Sequence, residues 1–447
     1  MFKRILIANR GAVAARVQRA VRALGATPVI VHSEADADLP YVRDAEEAHC
    51  IGPAAAMRSY LDAEAIIAAA RRANVDAVHP GYGFLSEKAG FAQAVEAASM
   101  AFIGPRPKWL DAMGHKTRAR ALMAARGMPV APSSDVLTGD IAAMVEQASR
   151  VGFPLLVKPA GGGGGIGMIA VTTAAELAPA LEKATSLAQR TFACADVYVE
   201  RLQSRPRHIE IQILADRHGH AMHLFERDCS VQRRHQKVIE EAGAAGIDRP
   251  RLDALADRCA AILADLGYDN IGTVESLYDS ATGFSFLEMN TRLQVEHGVT
   301  EEVTGVDIVQ AQIRLAAGAL LADVVPTQPQ VTGHALQMRI YAEDPVRFLP
   351  SPGMLDVFAL PDEAGIRVET GYAQGCRVTP YYDPLLAKLI VHGSDRADAI
   401  ACARAALAAT RIEGVKTNIA FLDRVLCSPE FIEARHDTHL ATRLAAA

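Results

Sequence analysis

The sequence lacks the marks of a secreted, membrane-spanning or nucleic-acid-binding protein. Its seven cysteines (Cys50, Cys194, Cys229, Cys259, Cys376, Cys402 and Cys427) are scattered, odd in number and free of any C-x-x-C pair. Reduced thiols in a cytoplasmic protein are expected, and a zinc site is not. Net charge is only −6 over 447 residues, and there is no basic tail, which argues against nucleic-acid partners. The opening MFKRILIANR has too short an apolar part for a signal peptide and runs straight into a folded pattern. The uncharged stretch at Gly161–Gly165 is glycine-rich rather than lipid-like, so no membrane span is expected. Two phosphate-binding signatures are also missing. No G-x-G-x-x-G follows the first strand, where Gly11 stands alone, and this disfavours a dinucleotide site. G-x-x-x-x-G-K-[ST] is absent as well, so any phosphate cradle here is of another type.

What is present is a globular composition, half hydrophobic and 22% charged, on a chain long enough for two or three domains. Strand-like Arg4–Ala8, Thr27–His32, Ala77–His79 and Ala101–Ile103 alternate with helical Ala12–Leu24, Ala63–Ala73 and Glu87–Ala98. That alternation predicts a Rossmann-like parallel sheet with helices on both faces. The loop HPGYGFLSE, His79–Glu87, falls between a strand and a helix, where open α/β sheets hold ligands. After helices over 106–113 and 116–126 and a linker at 128–132, a second unit begins. Its strands are expected at 154–158, 168–171, 197–201, 208–215, 221–227, 271–278 and 283–290, with helices at 174–188, 250–266 and 307–317. A proline-rich link, Val325–Pro329, precedes a C-terminal region. There, strands are expected at 333–341, 354–358, 366–369 and 385–392, and helices at 396–410 and 418–426.

The chain's chemistry concentrates in Phe286–His297, FLEMNTRLQVEH. Strand parity puts Glu288 and Asn290 on one face and Leu287 and Met289 on the other. Hard oxygen ligands two apart suit Mg²⁺. A lone E-x-N is ordinarily no more than a charged strand end, so the reading depends on what else the chain supplies. Glu275, on the preceding strand, provides a second carboxylate through a short turn at Asp279–Thr282. Five consecutive glycines, Gly161–Gly165, come after Lys158. A hairpin needs only one or two glycines, so this run reads as a flap whose N–H groups close over phosphates, with Lys158 and Lys116 as charge partners. Glu200, His208, His235 and Lys237 supply groups for an adenine edge, ribose or phosphate, and an anion. Taken singly, each is better read as a solvated surface residue. Together with Glu275, Glu288 and Asn290 they describe a metal–nucleotide site for phosphoryl transfer. Arg292, the Val295 backbone and Glu296 come directly after. An arginine that grips a planar oxyanion and a carboxylate base beside it suit a small planar acid, such as bicarbonate.

In this order, IANRG (Ile7–Gly11), HPGYGFLSE, KPAGGGGG (Lys158–Gly165), RRHQK and EMNTRLQVEH resemble the biotin carboxylases, which are ATP-grasp enzymes. YAEDP (Tyr341–Pro345), FLPSPG (Phe348–Gly353) and YYDPLLAKL (Tyr381–Leu389) extend the resemblance over essentially the whole chain. It implies an α/β and α+β architecture in three parts. These are an N-terminal Rossmann-like, pre-ATP-grasp domain (1–114), an ATP-grasp domain (115–325) with a glycine-flap lid near 131–203, and a C-terminal domain (330–447). It also implies an activity: Mg-ATP phosphorylates bicarbonate to carboxyphosphate, and CO₂ passes to N1′ of biotin, the first half-reaction of an acyl-CoA carboxylase. ATP would lie on Lys116, Lys158, Gly163, Gly164, Gly165, Glu200, Leu202, His208, Gln232, His235 and Leu277. Mg²⁺ or Mn²⁺ would be held by Glu275, Glu288 and Asn290. Bicarbonate would meet Lys237, Arg292, Gln294 and the Val295 N–H, with Glu296 as base. Arg339 would steady the biotin enolate, and Tyr82 would pack near biotin. Only Arg339 has no independent hint in the residues.

The chain departs from the family pattern at Ala12, His115, Ile166 and Gly298, none of them an implied contact residue. Ile166 replaces a basic residue after the flap, and Gly298 is expected to loosen the backbone behind the base. A catalytically competent enzyme, slower or differently partnered, is expected. No M-K-M biotin-attachment motif occurs. Biotin is therefore expected on a separate biotin carboxyl carrier protein, with a carboxyltransferase subunit elsewhere. The resemblance further implies a homodimer.

Overall fold

In this computed structural model the described residues are 1–160, 167–192 and 194–446. The first unit is a parallel sheet of β1 (Arg4–Ile7), β2 (Thr27–His32), β3 (Ala48–Cys50), β4 (Ala77–His79) and β5 (Ala101–Phe102), in the order β3-β2-β1-β4-β5. Its inner strands are continuous apolar runs because helices cover both faces. Ile5, Ile7 and Ile30 pack with Val13, Val17 and Val21 of helix Gly11–Ala23 on one side. Leu6, Val29 and Val78 pack with Ile66, Phe91 and Val95 on the other. Strand order reverses between β1 and β4. The loops after these two strands therefore splay apart and leave a crevice at the sheet's carboxyl edge. Asn9 fixes that edge by donating from Nδ2 to the carbonyls of Pro80 (2.6 Å) and Tyr82 (2.8 Å). Gly81, at φ +64°, passes so close that a Cβ there would strike the Asn9 side chain.

The lid unit is a small antiparallel sheet of β6 (Leu155–Pro159), β7 (Ile169–Val171) and β8 (Val197–Arg201), ordered β7-β6-β8. Helices Ile141–Ser149 and Ala174–Phe192 cover it. Leu155, Val157, Val199, Met144, Leu177 and Leu181 form its own core. The expected glycine flap at Gly161–Gly165, and Ile166 beside it, lie outside the described residues.

The body is an eight-stranded antiparallel sheet. It comprises β9 (Arg207–Ala215), β10 (Ala221–Arg233), β11 (Gln236–Ala242), β12 (Asn270–Asp279), β13 (Gly283–Asn290), β14 (His334–Tyr341), β17 (Ile366–Thr370) and β19 (Leu385–Gly393). The order is β13-β12-β9-β10-β11-β14-β19-β17. The sheet runs without a break from β9–β13 into the C-terminal strands through the β11–β14 pairing. Two short pairs complete the C-terminal part: β15 (Gly353–Met354) with β18 (Arg377–Val378), and β16 (Val357–Ala359) with β20 (Arg411–Glu413). Where one strand was expected over 354–358, there are two with a break between them.

β11 is a strand that the sequence pattern does not announce, and the strand before it continues past Arg227 to Arg233. Arg234 and His235 join them as a two-residue turn with φ of 50° and 65°. Two positive φ values in a row are the hairpin geometry whose twist matches the strands. Its Lys237, Glu240 and Glu241 meet ionic partners inside the protein rather than water, so apolar alternation is absent from the strand. Helices Ile141–Ser149 and His297–Thr304 were also not anticipated.

Candidate active site

β12 and β13 set Glu275 directly opposite Glu288, and Thr273 opposite Asn290. The expected side-by-side carboxylates are therefore in place. Strand parity fails at one position. Pairing slips between Glu275 and Ser276, so Ser276 faces Phe286 and Leu287 is the extra residue of a bulge. Phe286 and Met289 enter the core. Leu287, expected beside Met289 on the core face, instead lines a cavity with Glu288 and Asn290.

That cavity, about 320 Å³, lies between the lid strands and the body sheet. At its floor is Lys237 of β11, whose Nζ donates to Glu210 Oε2 (2.6 Å), Glu275 Oε1 (2.9 Å) and Glu296 Oε1 (2.6 Å). One ammonium thus fills all three of its donor positions with carboxylates from β9, β12 and the loop after β13. Burial works against the charge, but Glu210, Glu275 and Glu296 outweigh it and hold Lys237 protonated well above its ordinary range. Burial alone would raise the Glu296 carboxyl. Lys237, Arg339 and Arg227 override that and hold it well below the usual carboxylate range. Glu275 is depressed in the same way, with Lys237 and His208 overriding its burial. Both carboxylates are ionised at neutral pH.

Arg339, on β14, donates from Nη2 to Glu296 Oε2 (2.9 Å) and from Nε to Glu240. It so stands between two carboxylates with opposite tendencies, since burial pushes Glu240 up. Arg292 is fixed from four sides. Its Nε donates to Glu87 Oε2 (2.9 Å), Nη1 to Gln294 Oε1 (2.9 Å) and the Leu293 carbonyl (3.1 Å), and Nη2 to Asn290 Oδ1 (3.1 Å). Glu87 also accepts from the Thr291 N–H at 3.1 Å. The last residue of the HPGYGFLSE loop therefore anchors the arginine of the opposite domain. Gln294 and Asn290 each donate to Glu275 Oε1, at 3.2 Å and 2.8 Å.

On the lid side, Lys116 Nζ sits 3.1 Å from Glu288 Oε2. Lys158 Nζ, itself buried, sits 3.3 Å from Glu200 Oε2. Gln232 Nε2 lies 2.8 Å from His208 Nδ1, and His208 Nε2 lies 3.0 Å from Glu275 Oε2. Burial lowers the His208 pKa, but Glu275 overrides it and the net shift is upward. Lys116, Lys158, His208, Gln232, His235, Lys237, Glu275, Glu288, Asn290, Arg292, Gln294, Val295, Glu296 and Arg339 all line the one cavity. Glu200 pairs with Lys158 without being among the lining residues. Leu277, half-buried, lies on β12 opposite Ser285 and beside His208 of β9. Leu202 borders a separate hollow of about 400 Å³ with Pro129–Pro132 and Phe284. Gly163, Gly164 and Gly165 are outside the described residues.

A second cavity, about 360 Å³, occupies the crevice between the loops after β1 and β4. Tyr82 lines it, as do Arg10, Ala12, Tyr381 and Tyr382, and it shares Gln236, Val295 and Arg339 with the first. Arg339 thus stands where the two cavities meet. Sequence reasoning missed Met168, Gln236 and Leu287 as lining residues, and Glu87, Glu210, Arg227 and Glu240 as supports. Glu87 was within reach, since it closes a loop already singled out. Glu210 and Glu240 were not, because a carboxylate in a strand gives no sign of which side chain will face it.

The residues fit a hard divalent cation bound to a nucleotide. Glu275, Glu288 and Asn290 offer oxygen donors on adjacent strands with no thiolate among them. At present cations of the protein itself, Lys237 and Lys116, sit on both carboxylates. Glu288 keeps 28% side-chain exposure and lines the cavity.

Comparison with known proteins gives a concordant result. The family model described as "Biotin carboxylase, N-terminal domain" matches residues 1–110. "Carbamoyl-phosphate synthase L chain, ATP binding domain" matches 115–324, and "Biotin carboxylase C-terminal domain" matches 337–443. Biotin carboxylase 2 of Bacillus subtilis is 46% identical over 97% of each chain. The biotin carboxylase of Halalkalibacterium halodurans is also 46% identical, over 99% of this chain and 98% of that one. Among solved structures, the Campylobacter jejuni biotin carboxylase–β-γ-ATP complex superposes with a TM-score of 0.96 at 40% identity, covering 99% of both chains. The biotin carboxylase domain dimer of Hydrogenobacter thermophilus 2-oxoglutarate carboxylase, in complex with MgADP, ADP and bicarbonate, superposes at 0.95 and 38% identity over 99% and 98%. An N-terminal parallel sheet, an ATP-grasp centre and a C-terminal domain on one continuous chain, with these relatives over its full length, have one reading: the chain belongs to the biotin carboxylase family.

Proposed function

We propose that this protein carboxylates N1′ of biotin, using ATP and bicarbonate, as the first half-reaction of a biotin-dependent acyl-CoA carboxylase. It is an ATP-grasp ligase that forms a C–N bond. The observation that carries the reading is the convergence of Lys237, Arg292, Glu296 and Arg339 on the cavity that also holds Glu275 and Glu288.

In this reading Arg292, Gln294, Lys237 and the Val295 N–H hold bicarbonate as a planar anion. Glu296, ionised and 2.6 Å from Lys237, accepts its proton. The bicarbonate oxygen then attacks the γ-phosphorus of ATP, ADP leaves, and carboxyphosphate remains. Lys116, Lys158 and His208 carry phosphate charge, and Glu200, Leu202, Gln232, His235 and Leu277 take the adenosine end. Glu275, Glu288 and Asn290 would hold Mg²⁺ or Mn²⁺, which would supply Lewis acidity for phosphoryl transfer. Gly163, Gly164 and Gly165, outside the described residues, are assigned to the phosphates from the sequence resemblance alone. Arg339, at the junction of the two cavities, faces biotin entering past Tyr82 and stabilises its enolate. Carboxyphosphate breaks its C–O bond to give CO₂ and phosphate, the phosphate takes the N1′ proton, and the enolate nitrogen attacks CO₂ there before water reaches it.

The biotin arrives on a carrier protein, and a carboxyltransferase subunit takes the product. The protein works as a homodimer in the cytoplasm. No helix among the described residues is long and apolar enough to cross a membrane. The test is purified protein with MgATP, ¹⁴C-bicarbonate and free biotin. ADP release that needs both bicarbonate and biotin, with label fixed in carboxybiotin, is expected. ADP release indifferent to biotin would overturn the reading.

A further inference from the structure

Behind the catalytic loop stands a lysine that the proposed mechanism does not use. Lys388, on β19, is only 1% exposed. Its Nζ donates to the carbonyl oxygen of Val295 at 2.8 Å, and among the described residues it forms no ion pair. The acids near it are already engaged. Glu369 on β17 is held by Arg19 and Arg367, and Glu301 on helix His297–Thr304 by Arg16 at 3.0 Å and Arg367 at 2.7 Å. Arg339 faces Lys388 across the β14–β19 pairing. His297, buried beside it, is held neutral, with burial the main cause and the Lys388 charge next. A buried ammonium with no contact carboxylate is a costly arrangement. Here it obtains one hydrogen bond, to the peptide that leads into Glu296.

That peptide matters because its plane sets where the Glu296 Cα–Cβ bond points. Glu296 is also the residue at which the chain turns into helix His297–Thr304. Upstream, the Gln294 carbonyl accepts from His297 Nδ1 at 2.7 Å. Downstream, Gly298 packs under Ile390, two residues beyond Lys388 on the same face of β19. One strand face therefore grips the loop at Val295 and at Gly298, on either side of the base.

We propose that Lys388 is a positioning residue for Glu296: by holding the Val295 carbonyl it fixes the Val295–Glu296 peptide, and with it the carboxylate that receives the bicarbonate proton. The inference rests on the proposed bicarbonate chemistry and adds a residue outside both cavities to it. Burial, with Arg367 and Arg339 adding to it against Glu369 and Glu301, pushes the Lys388 ammonium down to about 8. Its charge-assisted bond to Val295 weakens to an amine's as pH rises through that value.

The experiment compares wild type, Lys388→Met and Lys388→Arg in biotin-dependent ADP release, with a thermal melt of each. Misplacing a reacting group by an ångström costs about 100-fold, so Lys388→Met is expected to lose about ten- to 100-fold in kcat. Its KM for ATP should stay within about two-fold, since the ATP-binding groups lie on other strands. Lys388→Arg, a permanent cation with donors to spare, should recover most of kcat and move the alkaline fall in kcat to higher pH. A folded Lys388→Met within about two-fold of wild-type kcat overturns the proposal. So does a folded Lys388→Arg as impaired as the methionine variant, because lost packing would then explain both. If Lys388→Met does not fold, Lys388→Arg decides alone, and an alkaline limb identical to wild type overturns the proposal. A wild type without bicarbonate-dependent ADP release overturns the proposed function instead, so the two failures are distinguishable.

Discussion

Replacing Lys237 with methionine removes the one cation that joins Glu210, Glu275 and Glu296. Three charge-assisted hydrogen bonds of 2.6 to 2.9 Å disappear, and three buried carboxylates lose a common partner. Breaking a buried ion pair from one side costs about 3–5 kcal/mol. Each carboxylate keeps a second partner: Arg227 on Glu210, His208 on Glu275 and Arg339 on Glu296. The loss should therefore sit near the lower end, about 3 kcal/mol at pH 7. Its pH dependence has a definite sign. In the wild type, Glu275 and Glu296 titrate below their unfolded value of about 4.3, so the stability they contribute is fully present above that pH. In Lys237→Met, burial dominates and at least one carboxyl titrates above about 4.3, so its penalty is relieved as pH falls. Urea midpoints should consequently differ more at pH 7 than at pH 5. The same substitution deprives the phosphoryl-transfer step of a fixed positive charge, which is worth about 100-fold or more in kcat. The reasoning fails if kcat stays within about ten-fold of wild type, or if the difference in urea midpoint is the same at both pH values.

Glu241 on β11 accepts from His334 Nε2 and Arg396 Nε, both at 2.7 Å, and lies 3.4 Å from His436. It thereby ties β14, the helix Arg396–Ala409 and the C-terminal segment to one carboxylate. Burial raises this group, but the His334 hydrogen bond, Arg396 and His436 bring it down to about 2. Its contribution is present above about pH 4.3 and lost as pH falls toward 2, so Glu241→Gln should cost about 3–5 kcal/mol at pH 7 and progressively less below pH 4 by urea unfolding. At the catalytic loop, a Cβ on residue 298 would overlap Ile390 Cδ1. Gly298→Ala should therefore destabilise by about 1–3 kcal/mol and Ile390→Val by about 0.5–1.5, yet the double variant by less than the sum, since valine lacks the overlapping methyl. Strict additivity in thermal melts would refute that packing.

The departure at Gly298, expected to loosen the backbone behind the base, has a different physical meaning in the folded chain. The residue is buried in the first turn of a helix, and Ile390 occupies the space that a side chain would need. A sequence cannot show this, because residues 298 and 390 meet only when β19 joins the sheet. The bulge at Leu287 belongs to the same class. Alternation is a local rule, and the slip opposite Ser276 is decided by how two strands pair.

Features that depend on local chemistry and short spacing were legible from the residues alone. Alternating apolar runs and helical periods were enough for the parallel N-terminal sheet. Glu288-x-Asn290-x-Arg292 and Gln294-Val295-Glu296 placed six residues of the candidate site within ten positions, because a strand end and the loop after it are one continuous object. The surroundings of those groups came from folding. It brought Lys237 from a strand that charged residues had hidden, Glu87 from the N-terminal domain, and Arg339 and Lys388 from β14 and β19. Electrostatic fields and hydrogen bonds act through space, so the ionisation of Glu296 and the direction in which it points are set by residues up to about a hundred positions away along the chain.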